Sequence, residues 1–155
     1  MSTAHTTLYD ADFYAWTQQQ ADALRADKLG TLDVENLIEE IEDMGKRQKQ
    51  ELRSRLKVLF MHLLKWQYQP NLQSRSWQLT IKEQRFEIRE HIAENPSLKH
   101  LLHEIIDGAY RGALIGAEHE TGLNKTAFPP VCPWTFEQAM DDDFWPEANT
   151  APTVR

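Results

Sequence analysis

Cysteine occurs once in this sequence, at Cys132, which excludes an internal disulfide framework and fits a reducing compartment. Long hydrophobic runs are also missing. The longest, Val58 to Leu64, is interrupted by His62 and falls far short of the roughly 20 apolar residues a membrane-spanning helix needs. The stretch MSTAHTTLYD has no basic region followed by an apolar one, so no secretory signal is expected and the cytoplasm is the expected location. Neither period-two alternation nor an Asn-Gly or Asp-Gly hairpin turn occurs, which argues against strands. Gly-rich phosphate loops, dinucleotide fingerprints and nucleophile elbows are absent too. No paired Glu-x-x-His pattern is found, and His119-Glu120 lacks the second histidine of a zinc-protease helix. Neither a metal nor a cofactor is therefore expected.

The 155 residues suit a single domain, 1–155, large enough to bury a real core. The net charge of −7 conceals a strong division. Residues 1–45 hold ten acidic and two basic side chains, whereas residues 46–91 hold eleven basic and four acidic ones. The basic middle is either a face for nucleic acid or an acidic partner, or a helical pair neutralised by acids of the same fold. An acidic overall balance favours the second reading.

The pattern of the rest is helical. Asp10 is a candidate N-cap for a helix with Phe13, Trp16, Gln20 and Leu24 on one stripe, ending near Gly30. From the candidate cap Asp33, a stripe of Leu37, Ile41, Met44, Gln48, Leu52, Leu56, Leu59, Leu63 and Trp66 runs to Pro70. It forms one long helix, or two if Gly45 breaks it. VLFMHLLKW is apolar nearly all round and belongs at the centre of a bundle. Ser74 or Ser76 caps the next helix, with Trp77, Ile81, Gln84 or Arg85, Ile88 and Ile92 inward, ending before Asn95-Pro96. Ser97 caps another, with Leu98, Leu101, Leu102, Ile105, Ala109, Ala113 and Ala117 inward, stopping at Gly122. FPPVCPW is extended, Thr135 and Gln138 cap one short helix, and DDDFWPE closes against the body. The expected fold is all-α: a bundle of four or five principal helices with a long central helix and an irregular, Pro-rich C-terminal segment.

Gly108, Gly112 and Gly116 lie four residues apart within a helix, where each costs about 1 kcal/mol relative to alanine. Beside Ala109, Ala113 and Ala117 they form a flat seam that lets another backbone approach closely. The expected occupant is a helix of the same chain with an aromatic such as Trp16, Trp66 or Trp77 across the glycines. The same helix of a second subunit is the alternative.

Few residues invite chemistry. His100 and His103 fall on the polar side of their helix and read as surface histidines. His62 interrupts the most apolar run on the helical flank of Glu40 and Arg55, so these three form a candidate buried polar cluster, with the histidine satisfied by Glu40 or a carbonyl. Cys132 has no evident activating neighbour and reads as a small buried hydrophobe. Lys65, Trp66, Tyr68, Arg75 and Trp77 gather cations and aromatics at one inter-helix turn. They form a candidate binding corner for a peptide or unpaired bases, or a purely structural knot with Arg75 over Trp66.

In order, YDADFYAW, LDVENLIEEIEDMG, LRSRLKVLFMHLLKWQYQP, SRSWQLTIKEQR, NPSL, ETGL and FPPVCPW resemble the bacterial family catalogued as domain of unknown function twenty-nine, found in cyanobacteria and proteobacteria, over about residues 9–147. The resemblance implies an all-α, bundle-like fold and no activity. The expected role is a protein-interaction module with a protein partner or a second copy of itself, such as one half of a toxin–antitoxin pair. Binding of nucleic acid or a nucleotide through the basic middle is the alternative, and an enzyme with an unrecognised site ranks third.

Overall fold

The computed structural model describes residues 7–149. Among these there is no strand, and the protein is an all-α helical bundle with four long helices. The α-helices are α1 (Leu8–Ala11), α2 (Phe13–Arg25), α3 (Val34–Tyr68), α4 (Arg75–Glu94), α5 (Leu102–Thr121) and α6 (Phe136–Met140). The chain divides into two compact units, Met1–Arg47 and Gln48–Arg155.

Local chemistry sets the helix ends. Thr7 caps α1 and Asp12 caps α2, the Asp12 carboxylate accepting from Ala15 N at 3.0 Å. The expected cap, Asp10, instead lies inside α1, because Asp12 is the residue with non-helical backbone ahead of Phe13. α2 also stops at Arg25, short of Gly30. α3 is one helix of 35 residues and continues through Gly45, which settles the question of one helix or two. Ser74 caps α4 through Trp77 N. Ser97 caps nothing: Pro96 starts a 3-10 turn, Pro96–Leu101, that leads into α5 and leaves Leu101 exposed. α5 ends on Gly122 at φ 73°, a left-handed conformation that glycine adopts without penalty. Thr135 caps α6 by accepting from Gln138 N.

The core of the second unit surrounds the C-terminal half of α3. Leu52, Leu56, Leu59, Phe60, Leu63 and Leu64 are buried there, against Ile81, Ile88 and Ile92 of α4 and Ile105, Ala109, Tyr110, Ala113 and Ala117 of α5. Phe128, Trp134, Ala139 and Met140 of the C-terminal segment close it. At about 25 cal/mol per Å² of apolar surface removed from water, such a cluster is the main source of stability.

The first unit is thinner. Among its described residues the buried apolar side chains are Trp16 and Ala23, joined by the polar Gln20. Leu24, Ile41 and Met44, expected inward from their periodicity, are more than half exposed. The stripe is real, but part of it has no covering element.

Candidate functional site

The N-terminal unit is held by a polar corner. Asp33, just ahead of α3, accepts from Trp16 Nε1 at 3.0 Å and from Asn36 Nδ2 at 2.7 Å, and its own backbone N–H donates to Gln20 Oε1 at 2.8 Å. The Asn36 amide first and the Trp16 indole second keep the Asp33 carboxyl below the usual carboxylate range, so it stays ionised as an acceptor. Two buried side chains of α2, Trp16 and Gln20, are thus fastened to the start of α3. Tyr9 packs edge-on against Phe13 and Trp16 and donates its hydroxyl to Glu40. That hydrogen bond first, desolvation second, and then the charges of Glu40, Glu39 and Asp43 push the Tyr9 phenol up to about 12.

The same arrangement leaves a groove of about 370 Å³ between α2 and the first turns of α3. α2 contributes Phe13, Trp16, Thr17, Gln20, Ala21 and Leu24; α3 contributes Leu37, Glu40, Ile41, Met44 and Arg47. Both sets follow the i, i+3, i+4 rhythm of a helix face, so the groove is a seam between two helices. Two helices side by side cannot bury both flanks of their apolar faces, and the consequence is visible in the exposures. Among the described residues, nine of the fifteen exposed large apolar side chains lie in the first unit, Phe13, Leu24, Ile38, Ile41 and Met44 with them.

The other candidate residues are placed differently. Glu40, Arg55 and His62 each have partners of their own. Glu40 accepts from Tyr9, Arg55 pairs with Glu51 and Glu87, and His62 Nδ1 donates to the Val58 carbonyl at 2.8 Å. Burial is the main influence holding the His62 imidazole below the usual histidine range.

The corner at the α3–α4 turn is only partly assembled. Lys65 is buried, pairs with Glu120 of α5 and lies 4.6 Å over the Trp77 ring. Trp66 packs on Trp145 and Tyr68 on Phe128, so both rings are committed to the C-terminal segment. Arg75 is exposed on the first turn of α4 and does not stack on Trp66.

Over the glycine seam lie side chains of α3, in place of the expected aromatic ring or neighbouring backbone. A Cβ at Gly108 would meet Arg53 Nε at 3.1 Å, one at Gly112 would meet Lys57 Cδ at 3.2 Å, and one at Gly116 would meet Met61 Sδ at 2.7 Å. The missing side chains make room for the stems of two exposed cations and a half-buried methionine.

Of the cations in the basic middle, Lys46, Lys49, Arg55, Lys65 and Arg89 have carboxylate partners. Arg47, Arg53, Lys57, Arg75 and Lys82 make no ion pair among the described residues. No group of three or more potential ligands that could hold a metal ion occurs among them either.

Periodicity did not single out Arg85 as more than an inward position. It is fully buried and donates from Nε to Ala139 O and from Nη2 to Phe144 O, each at 2.8 Å, while Arg89 bonds Met140 O and Asp142. These two arginines tie α4 to the end of α6, a long-range use that local pattern does not signal. Likewise His91 is buried, with Nε2 donating to Gln48 O at 2.8 Å. Cys132 shares a pocket of about 260 Å³ with His103, Asp107 and Arg111, but its thiol donates to Trp134 O and burial pushes its pKa up, so no activated nucleophile is assembled there.

No curated protein and no solved structure matches the chain significantly. A family model covers residues 8–145, nearly the whole described region and both units. The chain belongs to the family described as Domain of unknown function DUF29.

Proposed function

We propose that this protein is a protein-interaction module whose N-terminal helical pair receives a helix of a partner. The observation that carries this reading is the uncovered apolar groove between α2 and the start of α3, in a unit whose described residues include two buried apolar side chains and nine large exposed ones. A third helix laid into the groove completes a packing that two helices leave open, by the helix-in-groove mode of recognition. The face on α2 from Phe13 to Leu24 is about 17 Å long at 1.5 Å per residue, so roughly three turns of a partner helix fill it. Ile41 and Met44 are the expected anchors, the methionine adapting to the partner's side chains. No described helix is long and apolar enough to cross a membrane. We place the module in the bacterial cytoplasm, where a single cysteine stays reduced.

The basic middle supports nucleic-acid binding less strongly, because five of its cations are already neutralised by carboxylates. An enzyme with an unrecognised site has less support still, because Glu40, Arg55 and His62 are each taken up by partners of their own.

The test is photocrosslinking in the native cell, with a photoreactive residue at position 41 in one full-length variant and at position 82 on α4 in another. The expected result is one defined protein adduct from position 41 and none from position 82. Equal labelling from the two positions, or none from 41, would overturn the reading.

A further inference from the structure

We infer that the helix received by the N-terminal groove is a cationic amphipathic one, with lysines or arginines flanking its apolar stripe, and that a second copy of this same face is not the partner. The inference rests on the proposal that the groove is a docking site and adds the chemistry of its occupant.

Charge carries it. Residues 1–47 hold ten carboxylates against four cations. Two of those cations are already used locally, Arg25 by Asp22 and Lys46 by Asp43, and the one cation of the groove lining, Arg47, stands at the C-terminal end of the α3 wall beyond Met44. Glu40, on the groove wall, accepts only the neutral Tyr9 hydroxyl. Helical phase carries Glu35 and Glu42 along the outer edge of the apolar face of α3, beyond Val34 and Ile38, and neither has an ion-pair partner among the described residues. The Tyr9 phenol, raised first by its hydrogen bond to Glu40 and then by desolvation, is pushed further the same way by the charges of Glu40, Glu39 and Asp43. An apolar stripe along which free carboxylates, Glu35, Glu40 and Glu42, outnumber the one free cation, Arg47, complements a helix with an apolar stripe bordered by cations. A symmetric dimer through this face would set two such borders against each other, and like-charge juxtaposition opposes it. Nucleic acids and anionic lipid surfaces are disfavoured here for the same reason.

The test uses the full-length protein and two labelled synthetic helices followed by fluorescence anisotropy. One carries leucines on a single stripe and lysines on both flanks; its twin has glutamates in place of the lysines. The lysine helix is expected to bind on the order of tenfold or more tightly than its twin at low salt, with the gap narrowing as salt screens it. Ile41→Gln, at an exposed position that does not threaten folding, should weaken binding about tenfold by removing the apolar anchor. The pair Glu35→Lys and Glu42→Lys should instead shrink the preference while retaining affinity for both helices. Equal binding of the two helices overturns the charge inference and leaves the groove intact as a docking site. Binding untouched by Ile41→Gln, or no binding of either helix, overturns both. Concentration-dependent dimerisation seen by light scattering and abolished by Ile41→Gln assigns the groove to a second copy and also overturns the inference.

Discussion

Arg85 is the side chain on which the C-terminal segment turns. Its Nε and Nη2 satisfy two carbonyls, its guanidinium lies 5.4 Å from the Trp145 ring, and its Nη1 is buried without a partner. Desolvation is the main influence that lowers its pKa, a sign of what burying that charge costs. Arg85→Ala should destabilise the fold by about 2–4 kcal/mol, through two orphaned carbonyls and a cavity. Arg85→Met should lose less, because it fills the space and removes the buried charge; equal losses in urea unfolding would refute that division. Tyr110, also buried, donates to Pro129 O at 2.6 Å and pins the Pro-rich segment to α5. Tyr110→Phe should cost about 1 kcal/mol and speed alkylation of Cys132, and an unchanged alkylation rate would mean the segment is held otherwise. His62 sets a pH dependence. Its folded pKa is depressed by burial, so the unfolded chain takes up the proton first. The stability it contributes is complete above the unfolded value near 6.5 and is lost as pH falls through the interval down to the folded value. Urea midpoints measured from about pH 7.5 to about 5 should fall more steeply for the natural chain than for His62→Gln.

For the helices, periodicity and punctuation decide most of what is seen. Ser74 and Thr135 act as caps, Gly122 ends α5, and no strand forms among the described residues. The partner of a stripe is another matter. Nothing local distinguishes a glycine seam that receives a backbone from one that receives lysine and methionine stems, since both ask only for absent side chains. The structure makes the three glycines unequal. At Gly112 the obstruction is the stem of the exposed Lys57, which can swing away, so Gly112→Ala should recover up to about 1 kcal/mol of helix propensity. At Gly116 the half-buried Met61 sulfur sits 2.7 Å from the new methyl and must change rotamer, at about 0.5–1.5 kcal/mol. Thermal unfolding should therefore place Gly112→Ala above Gly116→Ala, and the reverse order would show that the stems do not decide.

At the scale of the whole molecule, the two compact units differ in how much core each owns. The second holds the entire principal apolar cluster, while the first relies on Trp16, Ala23 and the hydrogen bonds gathered at Asp33. Hydrogen exchange should accordingly show α2 opening at a lower free energy than α5. A bound helix should raise the protection of α2 and leave α5 nearly unchanged. Uniform protection across both units in the free protein would contradict this division of stability.

Composition, spacing and helix-end chemistry determined on their own that the protein is all-α, where most of its helices stop, and that the α3 segment from Leu52 onward lies at a centre. These follow from interactions between residues a few positions apart, which a linear pattern records. Tertiary structure alone decided that Ile41 and Met44 stay uncovered, that Glu40, Arg55 and His62 take separate partners, and that Arg85 holds two distant carbonyls. Each of these depends on which element comes to lie against a face, and a helix's phase states which way a side chain points without stating what meets it there.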